Sequence, residues 1–159
     1  MFSSLESENG SMVGLRFLDL YAGSGGVGLE ALSRGASGAT LVESDRRTAA
    51  LIRDNASVLG FAAEVLTSTV ASASVRPPAA AYDVAFLDPP YSLDGKRVGA
   101  TLRTLHHNGW LATDAVVIVE RSSRDQPFTW PEGILPERSR RYGETTLWYG
   151  RASGPTKDG

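Results

Sequence analysis

The chain has 159 residues, 42% hydrophobic and 21% charged, with a formal net charge of −2. That balance is of one ordinary globular domain, which excludes a disordered chain and argues against an indiscriminate polyanion binder. No run approaches the roughly 20 apolar residues needed to span a bilayer, no signal peptide is visible, and the lack of cysteine excludes disulfides and thiolate metal sites.

His106 and His107 are the only histidines, so a His-rich metal site is also excluded and no metal is expected. The absence of cysteine fits a reducing cytoplasm. The positive charges are almost all arginine, the better residue for planar phosphate contacts, although a general composition bias towards Ala, Gly and Arg reads equally well.

Apolar runs alternate with helix-like segments, the pattern of βαβ units and a parallel sheet. LRFLDL (15–20) predicts a buried strand that runs into the glycine cluster AGSGGVG, with a helix from Val27 to Arg34. GATLVE (38–43) predicts a second strand. DRRTAALIRDNASVLG (45–60) predicts a helix with Ala49, Leu51, Ile52, Ala56 and Leu59 near one face, capped by Asp45 and closed by Gly60.

AEVLTS (63–68) predicts a third strand, followed by a short helix and loop in TVASASVRPPAAA. YDVAFLD (82–88) is a strand ending at two prolines. A helix over 93–109 and a fifth strand over 115–120 follow. Pro127, Pro131 and Pro136 break up the last third, RYGETTLWYG alternates like an antiparallel edge strand, and RASGPTKDG reads as a disordered tail.

DLYAGSGGVGLE (19–30) places Gly23, Gly25 and Gly28 between a strand and a helix, where glycines let the backbone turn tightly and approach a ligand. The first such turn of a doubly wound sheet lies where ligands bind. GxGxxG spacing alone also fits a dinucleotide site. Asp19, four residues before Gly23, would repel a pyrophosphate, and Glu43, eighteen residues after Gly25, can accept from both hydroxyls of a ribose. S-adenosylmethionine, with its ammonium and sulfonium, suits this charge pattern. GxxxxGK[ST] is absent, which argues against P-loop phosphoryl transfer.

Asp88-Pro89-Pro90-Tyr91 ends the fourth strand, which lies beside the first in such a sheet. Asp88 and the carbonyls around Pro89 offer acceptors, and the prolines contribute no N–H donors. That is a receptor for an amine, such as the exocyclic NH₂ of a nucleobase, with Tyr91 as a face for stacking.

These blocks are similar to class I S-adenosylmethionine-dependent methyltransferases that carry an Asp/Asn/Ser-Pro-Pro-aromatic amino-methylation motif. More narrowly, FLDLYAGSGGVGLEALSRGA, LVESD, FLDPPY, NGWLATDAVVIVE and RYGETTLWY resemble the RsmD family, bacterial enzymes that methylate N2 of a guanine in small-subunit (16S) ribosomal RNA. The resemblance runs from Arg16 to Tyr149 in family order. It implies an α/β Rossmann-like fold whose mostly parallel seven-stranded sheet has the order 3-2-1-4-5-7-6, with one antiparallel strand and helices on both faces.

By the same resemblance, Asp19, Tyr21, Ala22, Gly23, Ser24 and Gly25 line the methionine end of S-adenosylmethionine, and S-adenosylhomocysteine is the product. Glu43 holds the ribose with Ser44 and Asp45 close by, and Asp88, Pro89, Pro90 and Tyr91 hold the target base. Where the family places Asp or Asn against the adenine, this chain reads LTSTV, so Thr69, or Ser68, stands there with only a hydroxyl.

The resemblance further implies one methyltransferase domain over 1–151, a tail over 152–159, and a monomer acting in the cytoplasm on ribosomal RNA within a 30S particle, away from membranes. MFSSLES matches the last turns of a helix that ends a basic upstream segment in the family. A chain without that segment is expected to bind cofactor normally and RNA poorly.

The other residues read blandly. Trp110, Trp130 and Trp148 are packing residues, His106 and His107 end a helix, and Arg46, Arg47 and Arg53 form a solvated helix face. Arg121, Arg124, Arg138, Arg140 and Arg141 form either an RNA-facing edge or a solvated surface with local acid partners. The rival readings are an adenine-N6 methyltransferase of DNA or RNA, a non-catalytic S-adenosylmethionine-binding assembly factor, and, more remotely, a nicotinamide-dependent oxidoreductase.

Overall fold

Each of the first five strands carries apolar residues on both faces, so each has to be covered on both sides. The computed structural model describes residues 1–154, apart from the side chains of Glu8 and Asn9. The elements are α1 (Phe2–Asn9), β1 (Arg16–Leu20), α2 (Gly26–Ser33), β2 (Gly38–Glu43), α3 (Arg46–Leu59) and β3 (Ala63–Thr67). Then come α4 (Val70–Ser74), β4 (Tyr82–Leu87), α5 (Gly95–His107), β5 (Leu111–Ser122), β6 (Ile134–Tyr142) and β7 (Thr145–Ala152). The strands form one seven-stranded sheet in the order β3-β2-β1-β4-β5-β7-β6. This is the class I Rossmann-like arrangement. β7 pairs antiparallel with both β5 and β6, and so runs against all the others.

Side chains alternate between two apolar layers, as strand geometry requires. Phe17, Leu41, Val84, Phe86, Val116 and Ile118 pack on one face with Phe2 and Leu5 of α1, Ala31 of α2 and Ile52 of α3. Leu18, Leu20, Val42, Leu87, Val117 and Val119 pack on the other with Val70 of α4 and Val98, Leu102 and Leu105 of α5. Trp110 is buried there, stacked on Tyr82 at 5.9 Å, and Trp130 and Trp148 pack against the same layer.

Caps fix the helix ends. The Asp45 carboxylate accepts from the Thr48 N–H at 2.9 Å, and Gly60 closes α3 with φ of 71°. Asp94 caps α5 in the same way through Arg97. On α3, Ala49, Ile52 and Ala56 face the sheet, but Leu51 and Leu59 are exposed. Leu51 stands one position off the buried stripe, and Leu59 continues its spacing but is the last residue of α3, so periodicity drew the apolar face too wide and too long.

Two further expectations are corrected. RYGETTLWYG is not one edge strand: it holds the end of β6, a turn at Gly143-Glu144 and the start of β7. β7 is interior, which explains its apolar content, and the edge is β6, where Pro136 stands beside a break in register. β7 also continues to Ala152, which is buried, and Ser153 donates its backbone N–H to Gly133 at 2.8 Å. The rest of the expected tail, 155–159, lies outside the described residues.

Candidate active site

Four of the parallel strands, β1, β2, β4 and β5, carry an acid at or within two residues of their ends. Asp19, Glu43, Asp88 and Glu120 all fall on the strand parity that faces α1 to α3. Three of them had been singled out from sequence; Glu120 had not.

Asp19 is 1% exposed, and its Oδ2 accepts the Gly28 N–H at 2.9 Å. Burial pushes its pKa up to about 7, against the lowering effect of the Gly28 bond, and the charges of Asp88 and Glu43 push it further. Gly28 allows the close approach: a Cβ there would meet Leu41 at 2.7 Å and Asp19 Oδ2 at 3.2 Å. Gly25, with φ of 81°, starts α2, and its N–H is held by Ala22 at 2.9 Å. Gly23 and Ser24 are exposed at the crest of this turn.

Tyr21 follows β1 with φ of 59°, a left-handed conformation that costs an aromatic residue roughly 1–2 kcal/mol. Its phenol is held by Thr101 and packs against the α5 layer, which fixes the turn. Burial raises its pKa, opposed by the Thr101 bond and the Arg121 charge.

Glu43 accepts the Gly23 N–H at 3.0 Å through Oε1 and the Asp45 N–H at 2.7 Å through Oε2. A carboxylate has about four lone-pair sites, so each oxygen keeps one for another donor. Asp45 turns its side chain to the α3 cap instead, accepting from both the N–H and hydroxyl of Thr48, which lowers its pKa. Thr69 accepts from the Ser72 N–H at 3.1 Å and keeps its own hydroxyl hydrogen. Tyr21, Glu43, Ser44, Ser68, Thr69 and Pro90 line a cavity of about 280 Å³.

Pro90 also borders a second cavity of about 270 Å³, lined by Asp88, Tyr91, Glu120, Arg121 and Thr145 among others. Pro90 therefore lines both spaces. The Pro90 carbonyl accepts the Leu93 N–H at 3.0 Å, which turns the chain and leaves Tyr91 90% exposed. Glu120 is half-buried and hydrogen-bonded to Asp88; burial first, then that bond and the Asp88 charge, push its pKa up to about 7. A roomier cavity of about 780 Å³ lies beyond Tyr91, between α5 and the 125–131 loop, and does not reach the glycine turn. Among the described residues no group of acids and histidines could hold a metal ion.

The arginines divide. Arg121 pairs with Asp125 at 3.5 Å with its side chain 9% exposed, and Arg138 lies over the Tyr149 ring at 4.0 Å, so neither is a free surface cation. Arg124 and Arg141 are exposed, and Arg140 reaches Ser4 on α1 at 3.2 Å. Arg46, Arg47 and Arg53 are exposed as expected, and Arg53 in addition bonds the Val65 carbonyl and the Thr67 hydroxyl, each at 2.9 Å, tying α3 to β3.

The family model described as conserved hypothetical protein 95, the RsmD family, matches residues 1–151. The chain belongs to that family. A relative within reach is ribosomal RNA small subunit methyltransferase D of Escherichia coli strain K12, 39% identical over 134 residues, or 84% of this chain and 66% of that protein. The protein of the same name from Haemophilus influenzae is 35% identical over 77% of this chain and 65% of its own length. The chain thus spans about two thirds of the curated relatives it matches. Among solved structures, yhhF of Escherichia coli superposes with a TM-score of 0.85 at 30% identity, covering 95% of this chain and 83% of that one. A magnesium protoporphyrin IX methyltransferase from Synechocystis with bound S-adenosylmethionine shares the fold at a TM-score of 0.70 and 13% identity, over 96% of this chain and 76% of that one.

Proposed function

We propose that this protein transfers a methyl group from S-adenosylmethionine to the exocyclic N2 amine of a guanine in 16S ribosomal RNA. The observation that carries the reading is the pair of cavities at the strand ends that share Pro90, one lined by Tyr21, Glu43 and Thr69, the other by Asp88, Tyr91 and Glu120. The names of the curated relatives support the choice of ribosomal RNA.

The residues present fit the cofactor. A buried carboxyl hemmed in by other acids, as Asp19 is, gains most from a cationic ligand, and Glu43 has lone pairs left for a ribose. Tyr21, Ala22, Gly23, Ser24 and Gly25 would form the turn around the methionine end, with Ser44 and Thr69 towards the adenosine. Asp45 would act from behind, through its N–H to Glu43. When bound, S-adenosylmethionine supplies an electrophilic methyl group.

The chain's own part is positioning. Asp88 and the proline-corner carbonyls would accept the amine hydrogens, which turns the nitrogen lone pair out of the ring plane and towards the methyl. Tyr91 would stack on the extruded base. As the new C–N bond forms and the methyl–sulfur bond breaks, the amine becomes acidic and its extra proton can pass to Asp88 and on to water. Orientation and fixed charges supply most of the rate. The protein would act as a monomer in the cytoplasm, on RNA within a 30S particle.

The test is to incubate the protein with labelled cofactor and 30S particles from a strain lacking the enzyme, then identify the modified nucleoside by mass analysis. N2-methylguanosine in 16S RNA is the expected product. N6-methyladenosine in RNA or DNA, or no transfer at all, overturns the reading.

A further inference from the structure

Leu87 and Val119 are partners in the parallel β4–β5 ladder, and both are fully buried. The next residues on the two strands, Asp88 and Glu120, therefore stand side by side where the ladder ends. Strand alternation puts both on the face shared by Phe86 and Ile118. Both residues border the cavity of about 270 Å³ that Tyr91 also lines. That volume falls just below the usual range of ligand pockets, roughly 300–1,000 Å³, and suits a single planar base.

With Glu120 ionised, above its pKa of about 7, the two neighbouring carboxyls present acceptors to two neighbouring donors. Guanine has such a set on its Watson–Crick edge, N1–H beside the N2 amine. Adenine has its amine beside N1, which is an acceptor and would face a carboxylate lone pair against lone pair. With Asp88 occupied by the amine, the adjacent carboxyl meets whatever group is at N1.

We propose that Glu120 accepts the N1–H of the target base and so makes the site selective for guanine over adenine. This rests on the reading of the site as one that methylates a nucleobase amine. A mismatched pair of polar groups at such a contact is costly because neither finds another partner. Arg121, on the same cavity wall, is already paired with Asp125 at 3.5 Å.

The probe is 2-aminopurine, which keeps the exocyclic amine of guanine but has a bare acceptor at N1. Small-subunit particles are reconstituted with RNA carrying guanine or 2-aminopurine at the methylated nucleotide, and kcat and KM are measured for each at pH 8, where Glu120 is ionised. The native protein is expected to prefer guanine by about tenfold or more. Glu120→Gln, whose amide can donate to a bare N1, is expected to shrink that preference about tenfold, mainly through KM, with cofactor affinity unchanged. Glu120→Ala has neither acceptor nor donor and is expected to shrink the preference by weakening guanine alone.

An equal guanine preference in the native protein and both variants overturns the inference while leaving the methylation reading intact. A native protein that methylates neither base overturns both. Cofactor binding by each variant, measured by calorimetry, shows that the fold is retained.

Discussion

Asp88 and Glu120 stand side by side where the β4–β5 ladder ends, and burial together with the neighbouring Asp88 carboxyl pushes the Glu120 pKa up to about 7. Asp19, one strand over, feels the Asp88 charge as well as that of Glu43. Acids on neighbouring strand ends are thus electrostatically linked, and a change at one is felt at the next. The arrangement is costly without a partner: two of the four carboxyls have pKa values pushed up to about 7. A positively charged or proton-donating ligand relieves that cost.

Asp88→Ala removes the acceptor for the amine and is expected to lower kcat by about 10²-fold or more. Cofactor affinity should stay within a few fold, because Asp88 acts on Asp19 only through space. Single-turnover transfer with labelled cofactor, beside a calorimetric titration, separates the two. A variant that kept native transfer would remove Asp88 from the mechanism.

The pH dependence has a definite sign. Asp19 has a folded pKa of about 7 against an ordinary value of 3.8, so between those values the folded chain holds a proton that the unfolded chain has lost. Glu120, at about 7 against 4.5, acts in the same direction. Stability from both groups is present at low pH and is lost as pH rises towards and through about 7. Asp19→Asn, which can still accept the Gly28 N–H, should therefore raise Tm more at pH 8 than at pH 5 in thermal melts.

The same group gives cofactor binding the opposite trend. A cationic ligand favours the ionised Asp19, so affinity should fall as pH drops below about 7, with protons released on binding. Calorimetry at pH 6.5 in buffers of different ionisation enthalpy reads the released protons directly. Asp19→Asn should abolish most of that release and weaken binding about tenfold or more.

Much of this was legible before the fold was known. The span of β2 and the two caps of α3 follow from short-range rules: an apolar β-rich run, an Asp before a helix and a Gly after it. Asp19 and Asp88 were visible because each sits beside a glycine or proline motif, and Glu43 because it ends the next strand eighteen residues after Gly25. Glu120 stands after VVIV with no such motif, and its meaning depends on β5 lying against β4, a long-range fact. The signal was nonetheless there: FLD, LVE, FLD and IVE all put an acid within a residue or two of a buried strand's end. β5 beginning at Leu111 rather than 115 was hidden by the polar Thr113-Asp114 pair, where Asp114 takes a positive φ of 66°. The hairpin from β6 to β7 was missed because a Pro within a run reads as a break, whereas here it sits at an edge beside a register shift.

Gly28→Ala sets two effects against each other. Alanine in a helix interior is favoured over glycine by about 1 kcal/mol. Its Cβ would stand 2.7 Å from Leu41 and 3.2 Å from Asp19 Oδ2, in a fully packed layer, and such overpacking costs about 1–3 kcal/mol. The clash should win, lowering the denaturant midpoint, and it should also weaken cofactor binding by displacing Asp19. Gly26→Ala, whose Cβ would meet nothing closer than Ser24 at 3.6 Å, is the control and should leave stability unchanged or slightly raised.

Tyr91 offers the cleanest separation of binding from folding. Its ring is 90% exposed, so Tyr91→Ala removes almost no packing and should leave Tm unchanged. Base–aromatic stacking contributes about 1–3 kcal/mol per base, which predicts a loss of about 10- to 100-fold in kcat/KM for RNA. Tyr91→Phe keeps the ring and should retain most of the activity, since the stack uses the face and not the hydroxyl. Steady-state methylation of 30S particles by the three proteins decides it. If Tyr91→Phe lost as much as Tyr91→Ala, the hydroxyl rather than the ring would be the working group, and the base would have to be held another way.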